Sequence, residues 1–191
     1  MDEDERRELF ESAYRALYVP VCGYAARRLA DPQDAAEVVA ETFLTLWRRF
    51  DDAPAGDQLR PWVYGVARRT LANHRRGERR RTALTERLAA DLAVLGEAVP
   101  APEPDGSVTR AFAALSDSDR ELLALVAWEG LTHEELAVAL GVSRPVVRVR
   151  LHRARHRFAE ARRRELQRTA AAGHATPRRA IARPGTTEDG L

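Results

Sequence analysis

The part of the chain that most constrains its fold is residues 115–158, LSDSDRELLALVAWEGLTHEELAVALGVSRPVVRVRLHRARHRF. Thr132 with Glu135 three residues later is the spacing of a capping box, which predicts a helix beginning at Thr132. Gly141 suits the left-handed position that follows a helix C-terminus. Ser143 then predicts the N-cap of a further helix. The pattern predicts two helices joined by a three-residue turn.

The second of these helices has an apolar back and a basic front. Pro145 lies in its first turn, where a missing backbone N–H costs nothing. Apolar residues follow a 4-3-4 spacing and predict one buried stripe: Val147, Leu151, Ala154 and Phe158. The other faces carry Arg144, Arg148, Arg150, His152, Arg153, Arg155 and His156. This arrangement is typical of a helix-turn-helix and predicts DNA binding.

The net charge of +2 hides a strong segregation of charge along the chain. Residues 116–142 hold six carboxylates and one arginine, a net charge of −5. Residues 143–168 have a net charge of +8, and residues 60–81 a net charge of +7. Every cation is arginine, so the clustering carries the information and the residue type does not. Two basic blocks favour two separate contacts with a polyanion, although a basic run is also typical of a solvated face.

Length and composition narrow the class. A chain of 191 residues can form one medium domain or two small ones. No apolar run reaches the roughly 18 residues that span a bilayer, and the opening MDEDERRELF lacks a signal-peptide pattern. Cys22, the single cysteine, excludes a disulfide or a multi-cysteine zinc site within the chain. These features predict a soluble cytoplasmic protein.

The first part of the chain reads as a series of helices. An amphipathic helix over residues 3–18 is expected to be interrupted at Pro20, with a second helix over residues 21–29. Pro32 predicts the start of a third helix and Pro61 the start of a fourth. Their predicted buried faces are Val39, Phe43, Leu46 and Phe50 in one, and Val63, Val66, Ala67, Thr70 and Leu71 in the other. No alternating strand pattern of useful length is present.

We therefore predict an all-α fold of two small helical domains. The first domain is expected over residues 1–82 and the helix-turn-helix domain over residues 110–166. Between them, residues 83–109 have a net charge of −4 and several prolines, which predicts a flexible acidic linker. Residues 167–191 contain little apolar material, which predicts a disordered tail.

Enzymatic motifs are absent from the sequence. It contains no glycine-rich phosphate loop, no His-Glu-x-x-His and no nucleophile elbow. His152 and His156 have the spacing of half a metal site but lack a third ligand, so two residues beside DNA phosphates are the better interpretation. Cys22 is interpreted as a small buried residue. We expect no enzyme activity, cofactor or metal.

Three segments together carry a resemblance to a known family. DPQDAAEVVAETFLTLWRRF resembles the second conserved region of the extracytoplasmic-function branch of the sigma-70 family, the bacterial RNA polymerase initiation factors. RPWVYGVARRTLANHRRGERRR is similar to that family's helix for the minus-ten element, and WEGLTHEELAVALGVSRPVVRVRLHRARHRF to its fourth region, which reads the minus-thirty-five element. The resemblance covers roughly residues 8–80 and 110–160. It implies a promoter-recognition subunit.

Duplex reading would fall to the last helix. On a helical wheel Arg148, Val149 and His152 point away from the buried stripe, toward base edges in the major groove. At the margins, Arg144, Arg150 and Arg153 suit phosphate contacts. Val149 departs from the small polar residue common in the family, and it is limited to apolar contacts such as a thymine methyl.

The resemblance places minus-ten recognition in the first domain. The loop that captures a flipped base in the family corresponds to residues 56–59, in which Asp57 and Gln58 can hydrogen-bond a base edge. Trp62 could serve as a platform on which a base stacks, but its position in the apolar pattern of the helix favours packing in the core. Residues expected along the DNA backbone are Arg68, Asn73, Arg75 and Arg76.

The resemblance also implies protein partners. Glu41 and Leu44 match the family's surface for core RNA polymerase, with Trp47 at that surface or in the core and Phe43 in the core. Expected partners are core RNA polymerase, promoter DNA and an anti-sigma factor. The alternative is a free-standing helix-turn-helix regulator that dimerises on palindromic sites. A remoter alternative is an interaction protein that sequesters a partner.

Overall fold

The chain folds into helices, as predicted. The computed structural model describes the backbone of residues 2–90 and 106–174, and over these ranges it contains helices and turns but no strand. The predicted all-α fold is confirmed. The helices are α1 (Glu3–Ala26), α2 (Pro32–Arg48), α3 (Leu59–Ala90), α4 (Ser107–Ala113), α5 (Asp117–Ala127), α6 (His133–Leu140) and α7 (Arg144–His174). Helices α1 to α3 form the first domain, and α4 to α7 form the helix-turn-helix domain.

Helix α1 continues through Pro20, so the predicted interruption there is wrong. A proline inside a helix removes one backbone hydrogen bond and crowds the preceding turn. Leu17, Val21 and Tyr24 nevertheless lie on one face across the proline and are buried together. This shared burial keeps the two halves in one helix.

Helix α2 begins where the sequence predicted. The Asp31 side chain accepts a hydrogen bond from the Gln33 backbone N–H (2.8 Å), and Pro32 occupies the first helical position. The predicted stripes are largely confirmed in α2 and α3. Buried residues are Val39, Phe43, Leu46, Val63, Val66, Ala67 and Leu71, with Phe50 and Thr70 partly exposed.

Two helices extend beyond the expected domain ends. The expected end of the first domain at residue 82 falls inside α3, because residues 83–90, ALTERLAA, are strong helix formers. Similarly, α7 continues to His174, so the expectation of disorder is wrong for residues 167–174. Its last turns are supported by Arg168, which pairs with Glu165 (2.6 Å). The rest of the expected linker and tail, residues 91–105 and 175–191, lies outside the described residues.

The helix-turn-helix domain is held together by α7. The Arg110 Nε of α4 donates to Glu165 Oε2 of α7 at 3.0 Å, and the Arg157 Nη1 of α7 donates to Asp119 Oδ2 of α5 at 2.8 Å. On α7 the predicted buried stripe is confirmed at Val147, Leu151 and Ala154, while Phe158 is partly exposed. The long helix thus serves as the backbone of the domain.

The two domains dock against each other through α3 and α6. Their apolar residues form one continuous cluster, which includes Leu71 of α3, Leu125 of α5 and Leu136 of α6. Gly65 of α3 faces the Ala139 backbone of α6 so closely that a β-carbon at residue 65 would stand 2.7 Å from the Ala139 carbonyl oxygen. A glycine at this position is required for the close approach.

Candidate nucleic-acid and polymerase interface

The geometry of the helix-turn-helix follows from its caps. The Thr132 backbone N–H donates to Glu135 Oε2 (2.8 Å), and the Glu135 backbone N–H donates to Thr132 Oγ1 (3.2 Å), so the predicted capping box is confirmed. Gly141 ends α6 in the left-handed conformation with φ of 64°. These two devices set the angle at which α7 leaves the turn.

Glu135 takes part in the capping box and also forms an ion pair with Arg60. Partial burial raises the pKa of Glu135, but the hydrogen bonds from Thr132 and the charge of Arg60 outweigh it, so the pKa is lowered overall. The carboxylate therefore favours its charged form in the folded chain. The start of α6 is tied in this way to Arg60 in the first domain.

Helix α7 presents most of the residues expected to read duplex DNA. Arg148, His152 and Arg153 are exposed, and the Val149 side chain is half exposed (50%) among them. Arg150 is also exposed but lies beside the cleft between the domains. Arg144 is exposed but forms an ion pair with Glu134 of α6. These side chains form one open surface opposite the buried Val147–Leu151 stripe, which is the placement that major-groove reading requires.

The loop before α3 also presents its expected residues. Residues 56–58 form a 3₁₀ turn immediately before α3, and Gly56 adopts a positive φ of 61°. Asp57 and Gln58 on this turn are exposed. Trp62, one turn into α3, is partly buried against the core, with the Arg49 guanidinium 5.9 Å from its ring centre. Part of the Trp62 ring is therefore packed against the core.

The remaining minus-ten residues are divided between two faces of α3. Arg68, Arg75 and Arg76 line a cleft of about 410 Å³ between the domains. Asn73 contacts Arg76 but also lines a separate groove between α2 and α3. The predicted minus-ten residues are therefore divided, because Arg68, Arg75 and Arg76 line the cleft toward the helix-turn-helix domain and Asn73 lines the other groove together with Arg69.

The expected polymerase-binding residues lie on α2. Leu44 has 46% of its surface exposed, and Glu41 is exposed with Arg48 3.7 Å away. Both line the groove that also holds Asn73. Trp47 is partly buried, with the Phe10 ring edge-on at 4.9 Å and the Arg6 guanidinium 4.2 Å from the indole centre. Of the three, Leu44 and Glu41 are the ones accessible to a partner.

Sequence reasoning missed the residues that join the domains. Arg28, two residues past the end of α1, donates to Glu121 within α5 and to Glu129 just beyond the end of α5. Arg27 and Arg60 add further contacts to Glu129 and to Glu135. The available signal was the charge segregation, because the acidic run of residues 116–142 contains all three carboxylates.

One cluster in the described part of the chain has metal-binding residue types. Asp34, Glu37 and His74 bring their ligand atoms within 4.8 Å of one another. The His74 Nε2 lies 3.2 Å from Asp34 Oδ1 and 3.9 Å from Glu37 Oε2. An ordinary histidine–carboxylate contact that fastens α2 to α3 accounts for this geometry.

Within the described residues, none of the helices combines the length and the apolar character needed to cross a membrane.

Comparisons with known proteins agree with the two-domain arrangement. The family description for Sigma-70 region 2 matches residues 13–81, and that for Sigma-70, region 4 matches residues 105–158. The RNA polymerase sigma factor NccH of Alcaligenes xylosoxydans xylosoxydans is 30% identical over 139 residues, covering 69% of this chain and 75% of that protein. The ECF RNA polymerase sigma factor SigF of Caulobacter vibrioides is 31% identical over 158 residues, covering 80% and 87%.

Fold and surfaces define a two-domain DNA-binding transcription factor. The chain belongs to the sigma-70 family of RNA polymerase sigma factors, in its extracytoplasmic-function branch. The resemblance found from sequence motifs is thereby confirmed. Members of this family are transcription initiation factors rather than enzymes.

Two solved structures share the fold. The sigma factor RpoE from Bartonella quintana, crystallised with the anti-sigma factor NepR, has a TM-score of 0.56 at 21% identity, covering 80% of this chain and 95% of that chain. CnrH, solved with the cytosolic domain of CnrY, has a TM-score of 0.53 at 20% identity, covering 89% and 91%.

Proposed function

We propose that this sigma factor binds core RNA polymerase and directs it to promoters by reading a minus-thirty-five element with α7 and a minus-ten element with the first domain. The observation that carries the proposal is that one chain holds two separate basic surfaces, each on the domain that matches the corresponding sigma region. A free-standing regulator would need only the helix-turn-helix. We assign residues 1–82 to the first domain and residues 110–166 to the helix-turn-helix domain, although α3 itself continues to Ala90.

Duplex recognition is assigned to the exposed face of α7. Arg148 and His152 would contact base edges, and Val149 would contact a thymine methyl. Arg144, Arg150 and Arg153 would contact phosphates at the edges of the groove, which position the helix without selecting a sequence. To contact a phosphate, Arg144 must leave its ion pair with Glu134, so that a phosphate oxygen replaces a carboxylate oxygen as its partner.

Recognition of the minus-ten element is assigned to the turn before α3 and to the arginines behind it. Asp57 and Gln58 are exposed polar side chains at the end of the domain, where a flipped base can reach their hydrogen-bonding groups. Arg75 and Arg76 would hold the backbone of the separated strand. Trp62 would support the turn from below by packing.

Polymerase binding is assigned to the Leu44 and Glu41 surface of α2, with Trp47 holding the end of that helix in place. An exposed leucine beside a carboxylate suits a protein partner better than DNA, because phosphates repel the carboxylate. A polymerase-bound factor would act in the cytoplasm. Both solved relatives are complexes with a second protein, the anti-sigma factor NepR in one and the cytosolic domain of CnrY in the other, and we assign an anti-sigma partner to this chain by analogy.

The test is transcription with purified core polymerase and this chain on selected promoter fragments. We expect defined transcripts, and we expect Leu44→Arg to reduce them by weakening polymerase binding. Leu9→Arg is the matched control, because Leu9 on α1 is similarly exposed but lies outside the α2 surface. Tight, sequence-specific DNA binding by the chain alone, with no association with polymerase, would support the free-standing regulator instead.

A further inference from the structure

Arg6 lies near the start of α1, but its side chain reaches the last turn of α2. Only 21% of the Arg6 side chain is exposed. Its guanidinium lies 4.2 Å from the centre of the Trp47 indole, and its Nη2 donates to the Trp47 backbone carbonyl. A cation over an indole face and a charged donor to a carbonyl are both favourable contacts. Arg6 therefore fixes the end of α2 against α1.

The Trp47 carbonyl is one of the groups for which an α-helix has no partner of its own. The last four carbonyls of a helix lack the usual donor four residues on, and α2 ends at Arg48. An arginine near a helix C-terminus can donate to such carbonyls, and the helix dipole favours its charge there. Arg6 supplies this contact from another helix, 41 positions earlier in the chain.

The same guanidinium contacts the loop that follows α2. Arg6 Nε lies 3.4 Å from Asp51 Oδ2. Asp51 belongs to the 3₁₀ turn Phe50–Asp52, with which the loop between α2 and α3 begins. Phe10, one turn further along α1, packs edge-on against Phe50 with the ring centres 5.8 Å apart. One face of α1 thus holds the first residues of the loop.

A short segment connects this first turn to the turn that carries Asp57 and Gln58. Residues 53–56 have the sequence Ala-Pro-Ala-Gly, in which the proline ring fixes one backbone angle. Arg6, Asp51, Pro54 and Gly56 line one groove of about 1080 Å³ beside α1. The orientation of the first turn is therefore passed on to the second over only a few residues.

We propose that Arg6 is a positioning residue for minus-ten recognition, which holds the loop so that Asp57 and Gln58 meet a flipped base in one orientation. The inference rests on the proposed function, because it takes these two residues as the ones that read the base. Arg6 acts through the loop and does not touch the base. Hydrogen bonds to a base edge select a base only when the donors and acceptors are held in place.

This role has a different consequence from a purely stabilising role. A variant that only loses stability lowers transcription by a similar factor whichever base the promoter carries. A variant that loses positioning lowers the discrimination between bases at the position that the turn reads. Discrimination at a minus-thirty-five position, which is assigned to α7, stays unchanged in both cases.

Three variants remove different parts of the contact. Arg6→Met removes the charge and the donors but keeps a long side chain beside the indole. Arg6→Lys keeps a charge and a donor but loses the planar fork. Asp51→Asn weakens the ion pair with the loop alone. The matched control is Arg7→Met, because Arg7 is the next residue, is 70% exposed and pairs with Glu11 of its own helix.

The full chain is bound to core polymerase, and transcription is measured on a promoter that the wild type uses. Each of the four bases is placed in turn at every minus-ten position and at one minus-thirty-five position. Asp57→Ala and Gln58→Ala identify the position that the turn reads. Hydrogen exchange of the Asp52 and Ala53 amides in the free chain reports on the loop without DNA, since both donate within its first turn.

We expect Arg6→Met to reduce the discrimination between the best and the worst base at the turn-read position by about tenfold, a typical share of one base contact. Arg6→Lys and Asp51→Asn should lose less. The Asp52 and Ala53 amides should exchange faster in Arg6→Met. Arg7→Met should match the wild type in both measurements, and circular dichroism verifies that each variant is folded.

Several results would overturn the inference while leaving the proposed function in place. They are a uniform loss of transcription with every base, faster amide exchange with unchanged discrimination, and an equal effect of Arg7→Met. If Arg6→Met does not fold, Arg6→Lys and Asp51→Asn decide, and wild-type discrimination in both would reject the positioning role. If the wild type starts no transcripts, the proposed function fails, and unchanged amide exchange in Arg6→Met would still show that Arg6 does not hold the loop.

Discussion

The Gly65 backbone in α3 lies against the Ala139 backbone in α6, and a β-carbon on residue 65 would stand 2.7 Å from the Ala139 carbonyl oxygen. Because the Ala139 carbonyl oxygen is a backbone atom, it cannot move away by a side-chain rotation. The docking of the two domains therefore depends on the absence of a side chain at one position.

We expect Gly65→Ala to destabilise the docked chain by about 1–3 kcal/mol, the usual cost of forcing an extra group into a packed interface. The matched control is Gly77→Ala in the same helix, where a β-carbon meets nothing within 4 Å. That control should stabilise the helix by about 0.5–1 kcal/mol because alanine is the better helix former. Urea unfolding measures both changes, and equal effects at the two sites would contradict the close approach.

A second prediction concerns the open surface of α7. Arg148→Ala should weaken binding by about 1–3 kcal/mol at particular promoter bases, because it removes a base-edge contact. Arg153→Ala should weaken binding evenly across sequences and reduce the salt slope by about 1, because it removes a phosphate contact. Holoenzyme affinities for a set of single-base promoter variants, measured at several salt concentrations, separate the two. An equal change in base preference would contradict the assignment.

A third prediction concerns the turn. Gly141 has a φ of 64° and open space around it, so Gly141→Ala should cost about 1–2 kcal/mol from backbone strain alone. Gly141→Asn should cost less, because asparagine adopts the left-handed conformation more readily. Thermal unfolding measures both. Equal costs for the two substitutions would indicate that crowding and not backbone conformation sets the requirement.

A fourth prediction is a dependence on pH. The folded-state pKa of Glu135 is lowered below its ordinary value of 4.5, since Thr132 and Arg60 stabilise the carboxylate against the effect of partial burial. Its contribution to stability is therefore present above pH 4.5 and is lost as the pH falls through the lowered pKa.

Glu135→Gln should accordingly show a smaller loss of stability than the wild type when the pH is lowered from about 6 to about 3.5. Glu8→Gln, on exposed α1 surface, serves as the control and should follow the wild type. Urea unfolding at a series of pH values gives the comparison. Parallel curves for Glu135→Gln and wild type would show that the Thr132 and Arg60 contacts do not stabilise the folded state.

Local chemistry made the helix-turn-helix predictable. A capping box, a left-handed glycine and a 4-3-4 apolar stripe each depend on residues that are close in sequence. The roles of Thr132, Gly141 and Leu151 could therefore be predicted without knowing how the helices pack. The Pro20 prediction failed for the converse reason. Pro20 disfavours a continuous helix locally, but the burial of Leu17 and Val21 on either side of it outweighs that preference.

The sequence by itself determined the helix-turn-helix, most of the buried helix faces, the two basic blocks and the family. Only the tertiary structure decided that Arg28 pairs with Glu121 and Glu129, residues 93 and 101 positions away. Periodicity assigns a side chain to a face of its own helix, but a partner on another helix depends on how the helices pack. The physical reason is that a charge can pair with any opposite charge, and the close contact of α3 with α6 at Gly65 selects which carboxylates come within reach.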